Sequence, residues 1–423
     1  MAFIKGWRVG AFVLTGLFLF FPHDAFAKTW NLGKELKFGP ARLRPSFSTE
    51  LGYNNNINLA STNTTGSVVA RNTPGLTLSI PFSNDKLYLE VGTDWCNVAV
   101  PNGKGGNPWL NEIRSVGRYN FSELTSVGVS YKYTPLELWG IGTGNKAEIN
   151  DAGASISHEF SQRLSGNFGV NWQKYLTNIK SGSMSYPNAD YNSWKGTISA
   201  DYKLTPLTDL EVAFAFENKD YKNASSKSYN APSGGFTVTQ KITPRLSANV
   251  SGGIVHRDYR SWGSADELTW GAGADAIVSP FSTVHFTYAH GINDTFYPFD
   301  PEILKDRFAV DNSIVNNLDV NFRYIITDHV GTNITYRITS QDIIDFGLGY
   351  IRSQSNQSTG ALSAPIPTSE GLVEHNYYVG AGYSRKLLSW LAIDAKLTYG
   401  QRSSTVQPKY SYYSANGGLS INF

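Results

Sequence analysis

Tyr413-Ser-Ala-Asn-Gly-Gly-Leu-Ser-Ile-Asn-Phe423 is the last stretch of the 423-residue sequence, and its reading decides the fold. Tyr413, Ala415, Gly417, Leu419, Ile421 and Phe423 alternate with Ser414, Asn416, Gly418, Ser420 and Asn422. A period of two puts each set on its own face of an extended strand. The same alternation runs through Leu391 to Tyr399, with Asp394, Lys396 and Thr398 between the apolar positions. Leu210, Val212, Phe214 and Phe216 alternate with Glu211 and Glu217, and Leu318 to Ile326 carry Asp319 and Arg323 on the second face. One face of each strand suits an apolar surrounding and the other suits water.

Working back from that strand, a short turn pattern recurs. An apolar residue precedes a tight polar turn at Phe82-Ser-Asn-Asp-Lys-Leu87, Phe121-Ser-Glu-Leu-Thr125, Phe160-Ser-Gln-Arg-Leu164, Leu204-Thr-Pro-Leu-Thr208 and Ile242-Thr-Pro-Arg-Leu246. Further turns are expected around Pro280-Phe-Ser282, at Ile326-Thr-Asp-His-Val330 and at Leu388-Ser-Trp-Leu391. Ser, Thr, Asp and Pro serve tight turns by capping the backbone or presetting φ. The spacing, about 40 residues with a last gap of about 60, marks a repeated supersecondary unit of strand, short turn, strand and long polar loop. Eight turns give sixteen strands, and one at about 43–54 and one at 412–423 bring the total to 18. An error in a weak pair, above all near 229–242, would leave 16. An even count of antiparallel strands is the rule for bacterial outer-membrane barrels.

Large aromatics recur about ten residues from the turns: Trp95, Trp172, Trp194, Trp270 and Tyr399, with Tyr413 ten residues before Phe423. Ten residues of tilted strand climb roughly 25 Å, the height of an outer-membrane apolar band. These residues read as one aromatic girdle, with Phe423 joining Phe82, Phe121 and Phe160 on the turn side. The expected fold is therefore all-β, a closed antiparallel transmembrane barrel over 43–423. A soluble sandwich has no reason to space aromatics by membrane thickness.

The composition agrees. There are 40 Gly, 24 Tyr and 23 Phe but two Met and one Cys, and mean hydropathy is −0.27. Strands with one polar face keep hydropathy low even in a membrane protein. At the start, Lys5 and Arg8 precede an apolar run from Val9 to Phe21, and Ala25-Phe-Ala27 offers a cleavage site. That reads as a secretory signal over 1–27, followed by a short periplasmic segment over 28–42. Without Lys5, Arg8 and Asp24 the chain keeps 34 basic and 33 acidic residues, which gives nucleic acid no reason to bind. The lone Cys96 makes no internal disulfide, and no Cys/His cluster points to a metal; no cofactor is expected.

The segments Glu50-Leu-Gly-Tyr-Asn-Asn-Asn-Ile-Asn-Leu59 and Thr73-Pro-Gly-Leu-Thr-Leu-Ser-Ile80 resemble the start of the putative β-barrel porin-2 family. The resemblance covers about 40 residues. It implies an outer-membrane, porin-like barrel, with some members associated with exopolysaccharide systems, and it brings no catalytic residues. Pro74 inside a strand suggests a bulge.

Strand parity turns Arg44, Arg114, Arg118, Lys132, Lys195, Lys203, Lys241, Arg323, Arg337, Lys386 and Lys396 inward. It turns Glu50, Glu90, Asp94, Glu159, Asp201, Glu211, Glu217, Asp275, Asp319 and Asp394 inward too. Arg114, Arg118 and Lys132 form a local basic patch. It reads either as a selectivity filter steering acidic solutes or as part of a salt-bridged lumen, and the near balance of signs favours the second. Tyr88 and Tyr378 also point inward, where aromatic faces suit stacking on saccharides. His290 with Asp294 near the outer rim is the nearest approach to a hydrolase site, and His329 is expected in a periplasmic turn. The loop over 341–373 is expected to be the longest external one. The expected partners are outer-membrane lipid, the barrel-assembly machinery through the C-terminal strand, and saccharide.

Overall fold

A computed structural model describes residues 35–55, 66–82, 86–99, 109–137, 146–178, 190–222, 225, 228–261, 263–293, 322–357, 373–404 and 409–422. The expected signal over 1–27, Asp294, Asp319 and Phe423 lie outside these residues. So do Ser83 to Asp85 of the first turn and the Arg323 side chain.

The chain is almost all strand. Three-residue β1 (Leu36–Phe38) turns at Gly39, φ +61°, and runs back along the start of β2 (Ala41–Asn54). Then follow β3 (Ser67–Phe82), β4 (Leu87–Ala99), β5 (Trp109–Asn120), β6 (Thr125–Glu137), β7 (Lys146–Glu159) and β8 (Leu164–Asn178). The middle of the wall is β9 (Tyr191–Thr205), β10 (Thr208–Tyr221), β11 (Tyr229–Thr243), β12 (Leu246–Tyr259) and β13 (Gly263–Ser279). The last third is β14 (Ser282–Asn293), β15 (Phe322–Arg337), β16 (Asp342–Gln357), β17 (Val373–Leu388), β18 (Leu391–Ser404) and β19 (Tyr410–Asn422).

Each strand from β2 to β19 pairs antiparallel with its neighbours in sequence, and β19 returns to β2 from Ser414↔Asn54 to Asn422↔Ser46. The result is a closed barrel of 18 strands. Closure leaves no unpaired backbone edge facing hydrocarbon, where each lost hydrogen bond costs several kcal/mol. The segment at 229–242, the one whose loss would have left 16, is a full strand, β11.

Register carries one apolar face around the ring. Leu51 is 61 % exposed, Ile198 57 %, Phe214 60 %, Val250 57 % and Leu397 61 %. Large apolar side chains this exposed, on strands around the ring and all on one side, belong against lipid. The other face carries the charges, which cost roughly 2–4 kcal/mol each at mid-membrane and so define the lumen.

The turns share one device. The hydroxyls of Ser122, Ser161, Thr205, Thr243, Ser279 and Thr339 accept from the backbone N–H two residues ahead, at 3.1–3.2 Å. This is why Phe-Ser and Ile-Thr recur where strands end: the hydroxyl satisfies an N–H that the ladder no longer reaches.

Four expectations need correction. Ile326 to Val330 is no turn: it lies within β15, and the turn is at 338–341, built on Thr339. Thr339 also donates to Asp342 Oδ2 at 2.6 Å, and Tyr383 donates to Asp342 Oδ1 at 2.6 Å, so the turn is tied to β17. The start of the expected external loop at 341–373 is accordingly strand β16, and β17 begins at Val373. His329 is therefore a strand residue, facing the lumen with its Nε2 3.1 Å from the Tyr378 hydroxyl. Pro74 marks no bulge. The β3–β4 register is the same on both sides of it, Asn72↔Asn97 and Gly75↔Asp94, and only the pairing at Thr73 and Pro74 lapses.

Candidate functional site: the lumen wall

The site is the inner face of the barrel. Inward positions between β6 and β14 are small: Gly128, Ser130, Gly153, Ser155, Gly169, Thr197, Ser233, Gly235, Ser251 and Gly253 lie on paired strands. They interlock closely. A Cβ at Gly128, Gly153 or Gly169 would come within 3.0 Å of the hydroxyl of Ser155, Ser130 or Thr197. Two recesses follow from this lack of bulk. One of about 600 Å³ crosses β5 to β9, with Arg118, Asn171 and Lys195 on its lining. Another of about 580 Å³ crosses β9 to β14, with Glu211, Asn249 and His285 on its lining.

The charged candidates divide by partner. Arg114 pairs with Asp94 at 3.4 Å and rests on Thr77. It lies directly opposite Lys132, which is 4.0 Å from Glu112. Two like charges face each other in the ladder, and each is neutralised by its own acid. Arg71 meets Glu50 at 3.6 Å, and Tyr88 donates to Glu90 at 2.5 Å. Arg402, on the inner face of β18, forms a buried pair with Glu374. Arg118 and Lys195 differ: among the described residues no ion pair reaches either, and both are exposed at the edge of the first recess. Sequence parity had placed Lys195 inward without singling it out, because pairing cannot be read from parity. Arg337 is exposed at the β15–β16 turn, away from these groups.

The girdle candidates sit on the lipid face. Trp172 and Trp194 are ladder partners with ring centroids 6.2 Å apart, and Trp270 and Tyr399 are 52 % and 43 % exposed. Trp95 shares the outward face of β4 with Leu89 and Val91. The Tyr399↔Tyr413 pair continues the belt across the closing strand.

Asp294, the expected partner of His290, lies outside the described residues; among those described, His290 meets two carboxylates. Its Nδ1 is 2.7 Å from Asp328 and its Nε2 is 3.4 Å from Glu267, so carboxylates occupy both ring nitrogens. Asp328 also accepts from Tyr288 at 2.9 Å and Arg352 at 3.4 Å. This cluster marks a break in the wall. The β13–β14 ladder stops at Trp270↔His290, although β13 extends to Gly263 and β14 to Asn293. Above the break the end of β14 bends inward. Ile292 packs with Tyr229, Tyr259 and Ala265, and its carbonyl accepts from Arg257 of β12 at 3.4 Å, past β13. The β5–β6 ladder stops similarly, above Ile113↔Tyr133. At the same outer end Ile325, Ser353 and Glu374, all on inner faces, are fully buried.

A closed barrel of 18 strands with a lipid-facing apolar belt and a polar inner wall defines a bacterial outer-membrane β-barrel of the porin type. Residues 36–261 match the family described as "Putative beta-barrel porin 2", and the chain belongs to that family. None of the curated proteins matches it. Solved outer-membrane channels share the fold at low identity. Acinetobacter baumannii OccAB4 is 13 % identical, with 90 % of this chain and 98 % of that chain covered and a TM-score of 0.52. Pseudomonas aeruginosa OpdK, solved with vanillate, is 9 % identical, with 90 % and 99 % covered and a TM-score of 0.52. P. aeruginosa OccK3 is 13 % identical, with 90 % and 95 % covered and a TM-score of 0.50.

Proposed function

We propose that the protein is a non-enzymatic diffusion channel for small polar solutes, saccharides among them, across the outer membrane. One observation carries this reading: the inner wall of an 18-strand ring is floored by glycine, serine and threonine, leaving recesses of about 600 and 580 Å³ beside charged groups. A ring of this size encloses an aqueous space unless something fills it. The vanillate seen with OpdK is a solute of the size such a lumen admits. The family resemblance extends the reading to exopolysaccharide export. Arg118 and Lys195, which no ion pair reaches among the described residues, supply the attraction for acidic solutes; Arg114, Lys132, Glu90 and Asp94 hold the wall in shape. Hydrolysis has no support at His290, whose two nitrogens are both engaged by carboxylates. Outer-membrane lipid meets the apolar belt, and β19 is the segment offered to the assembly machinery.

Single-channel recording on the refolded protein in planar bilayers tests this. Stable current steps support the channel. A folded but silent barrel sinks it, and favours a closed, surface-interacting barrel. The observation behind that second reading is the burial of Ile325, Ser353 and Glu374 at the outer end of the lumen.

A further inference from the structure

On the inner wall, one register row crosses four strands as Gly349↔Tyr378↔Gly400↔Tyr412. Each tyrosine lies down over the glycine beside it. A Cβ on Gly349 would coincide with the distal edge of the Tyr378 ring, and a Cβ on Gly400 would run into Tyr412. The Tyr378 ring spans β16 so fully that its hydroxyl reaches His329 on β15, at 3.1 Å. Both rings thus lie against the wall, tilted over the strand that precedes their own, and both are partly exposed. They are two strand spacings apart, roughly 10 Å.

The row on the turn side is Gly347↔Gly380↔Thr398↔Ser414, and the next is Asp345↔Gly382↔Lys396↔Asn416. Hydroxyl and amide groups therefore border the rings on the turn side, where glycines leave them uncovered; the row on the other side is the bulkier Ile351↔Asn376↔Arg402↔Tyr410. The barrel uses the same device on its lipid face, where Phe214 lies over Gly234 and Phe236 over Gly252. There it packs strands and meets hydrocarbon. In the lumen the same geometry turns two flat aromatic faces toward an aqueous space.

We propose that Tyr378 and Tyr412 form a stacking platform for a linear saccharide. A pyranose has a C–H face that suits an aromatic ring and a rim of hydroxyls that suits Thr398, Ser414 and Asn416. The separation of the rings exceeds one sugar ring, so a chain gains from both where a monosaccharide gains from one. The proposal deepens the channel reading and rests on it only for the route by which the sugar arrives.

The test is block of single-channel current by a neutral linear glucan, maltohexaose, on the full refolded protein. Concentration-dependent block is expected, with Tyr378→Ala and Tyr412→Ala each weakening it roughly three- to tenfold and Tyr378→Phe leaving it nearly intact. Heat-modifiable migration on gels confirms that each variant is a folded barrel. Conductance without block, equal block in the alanine variants, or block by vanillate and not by the glucan each overturns the platform. A silent barrel sinks the channel reading alone. Calorimetric titration of the detergent-solubilised protein with maltohexaose then decides the platform: binding lost in Tyr378→Ala upholds it, and no binding overturns it.

Discussion

Val250 provides a sharp test of which face meets lipid. It lies on β12, five residues beyond Arg245 of the turn, and is 57 % exposed between outward Val238 and Ala272. Five residues of strand tilted about 40° rise roughly 13 Å, half of a band about 25 Å high. Val250→Arg therefore places a charge near the bilayer midplane, at an expected cost of about 2–4 kcal/mol. That is roughly 30- to 1,000-fold in the ratio of folded to unfolded protein. Its neighbour Asn249 is on the lumen face, where Asn249→Arg meets water and is expected to cost under about 1 kcal/mol. The assay is reversible urea unfolding in phospholipid vesicles, followed by tryptophan fluorescence. Equal costs for the two substitutions, or a negligible cost for Val250→Arg, would falsify the assignment of faces.

The turn at 338–341 should be the most sensitive to losing its hydroxyl. Thr339→Ala removes an acceptor for two N–H groups and a donor to Asp342. It is expected to lower stability by about 1–2 kcal/mol, read as a drop in the urea midpoint that Thr339→Ser largely restores. Replacing Arg118 and Lys195 together with Ala should move the reversal potential in a KCl gradient toward cation preference, while Arg337→Ala leaves it unchanged; no movement in the double variant rules out their steering role. At the N-terminal end, partial enclosure works to raise the Glu35 carboxyl, but hydrogen bonds from Arg44 and Lys37, with Arg42 beyond, outweigh it and hold the group below the ordinary carboxylate range. A depressed carboxyl stabilises its contacts above its unfolded value and loses them as pH falls through the folded one. Protection of residues 35–38 from hydrogen exchange should therefore fall on acidification, and in Glu35→Gln it should be low at every pH.

The strands and turns were legible because both rest on local chemistry. Alternation names a face, and a Ser or Thr after an apolar residue names a turn. The one misplaced turn shows where local signals stop. Ile326-Thr-Asp-His-Val330 has the composition of a turn, and Ile338-Thr-Ser-Gln341 has the same apolar-Thr start. The first is strand because Asp328 is satisfied sideways, by His290, Tyr288 and Arg352 on the strands to either side. Nothing within five residues reveals those partners. The same limit applies to the candidate site. Parity placed Tyr378 and Arg118 on the inner face, but whether a ring lies over a glycine, or a cation has an acid beside it, is decided by cross-strand register. Tyr412, beside the more conspicuous Tyr413 of the girdle, was missed for that reason; its signal is Gly400, directly opposite on β18.

The break between β13 and β14 has a bearing on how this protein can change over generations. At this seam the ladder binding the two strands runs only below Trp270 and His290, through the height that meets hydrocarbon. Above that level β14 stays in register with β15 as far as Asn293↔Ile325, and on its other side it is held by the packing of Ile292 and its carbonyl contact with Arg257. Substitutions there leave the register of the buried staves untouched. Side chains above the seam can thus change without disturbing the β13–β14 ladder below it, provided the pairing of β14 with β15 is kept.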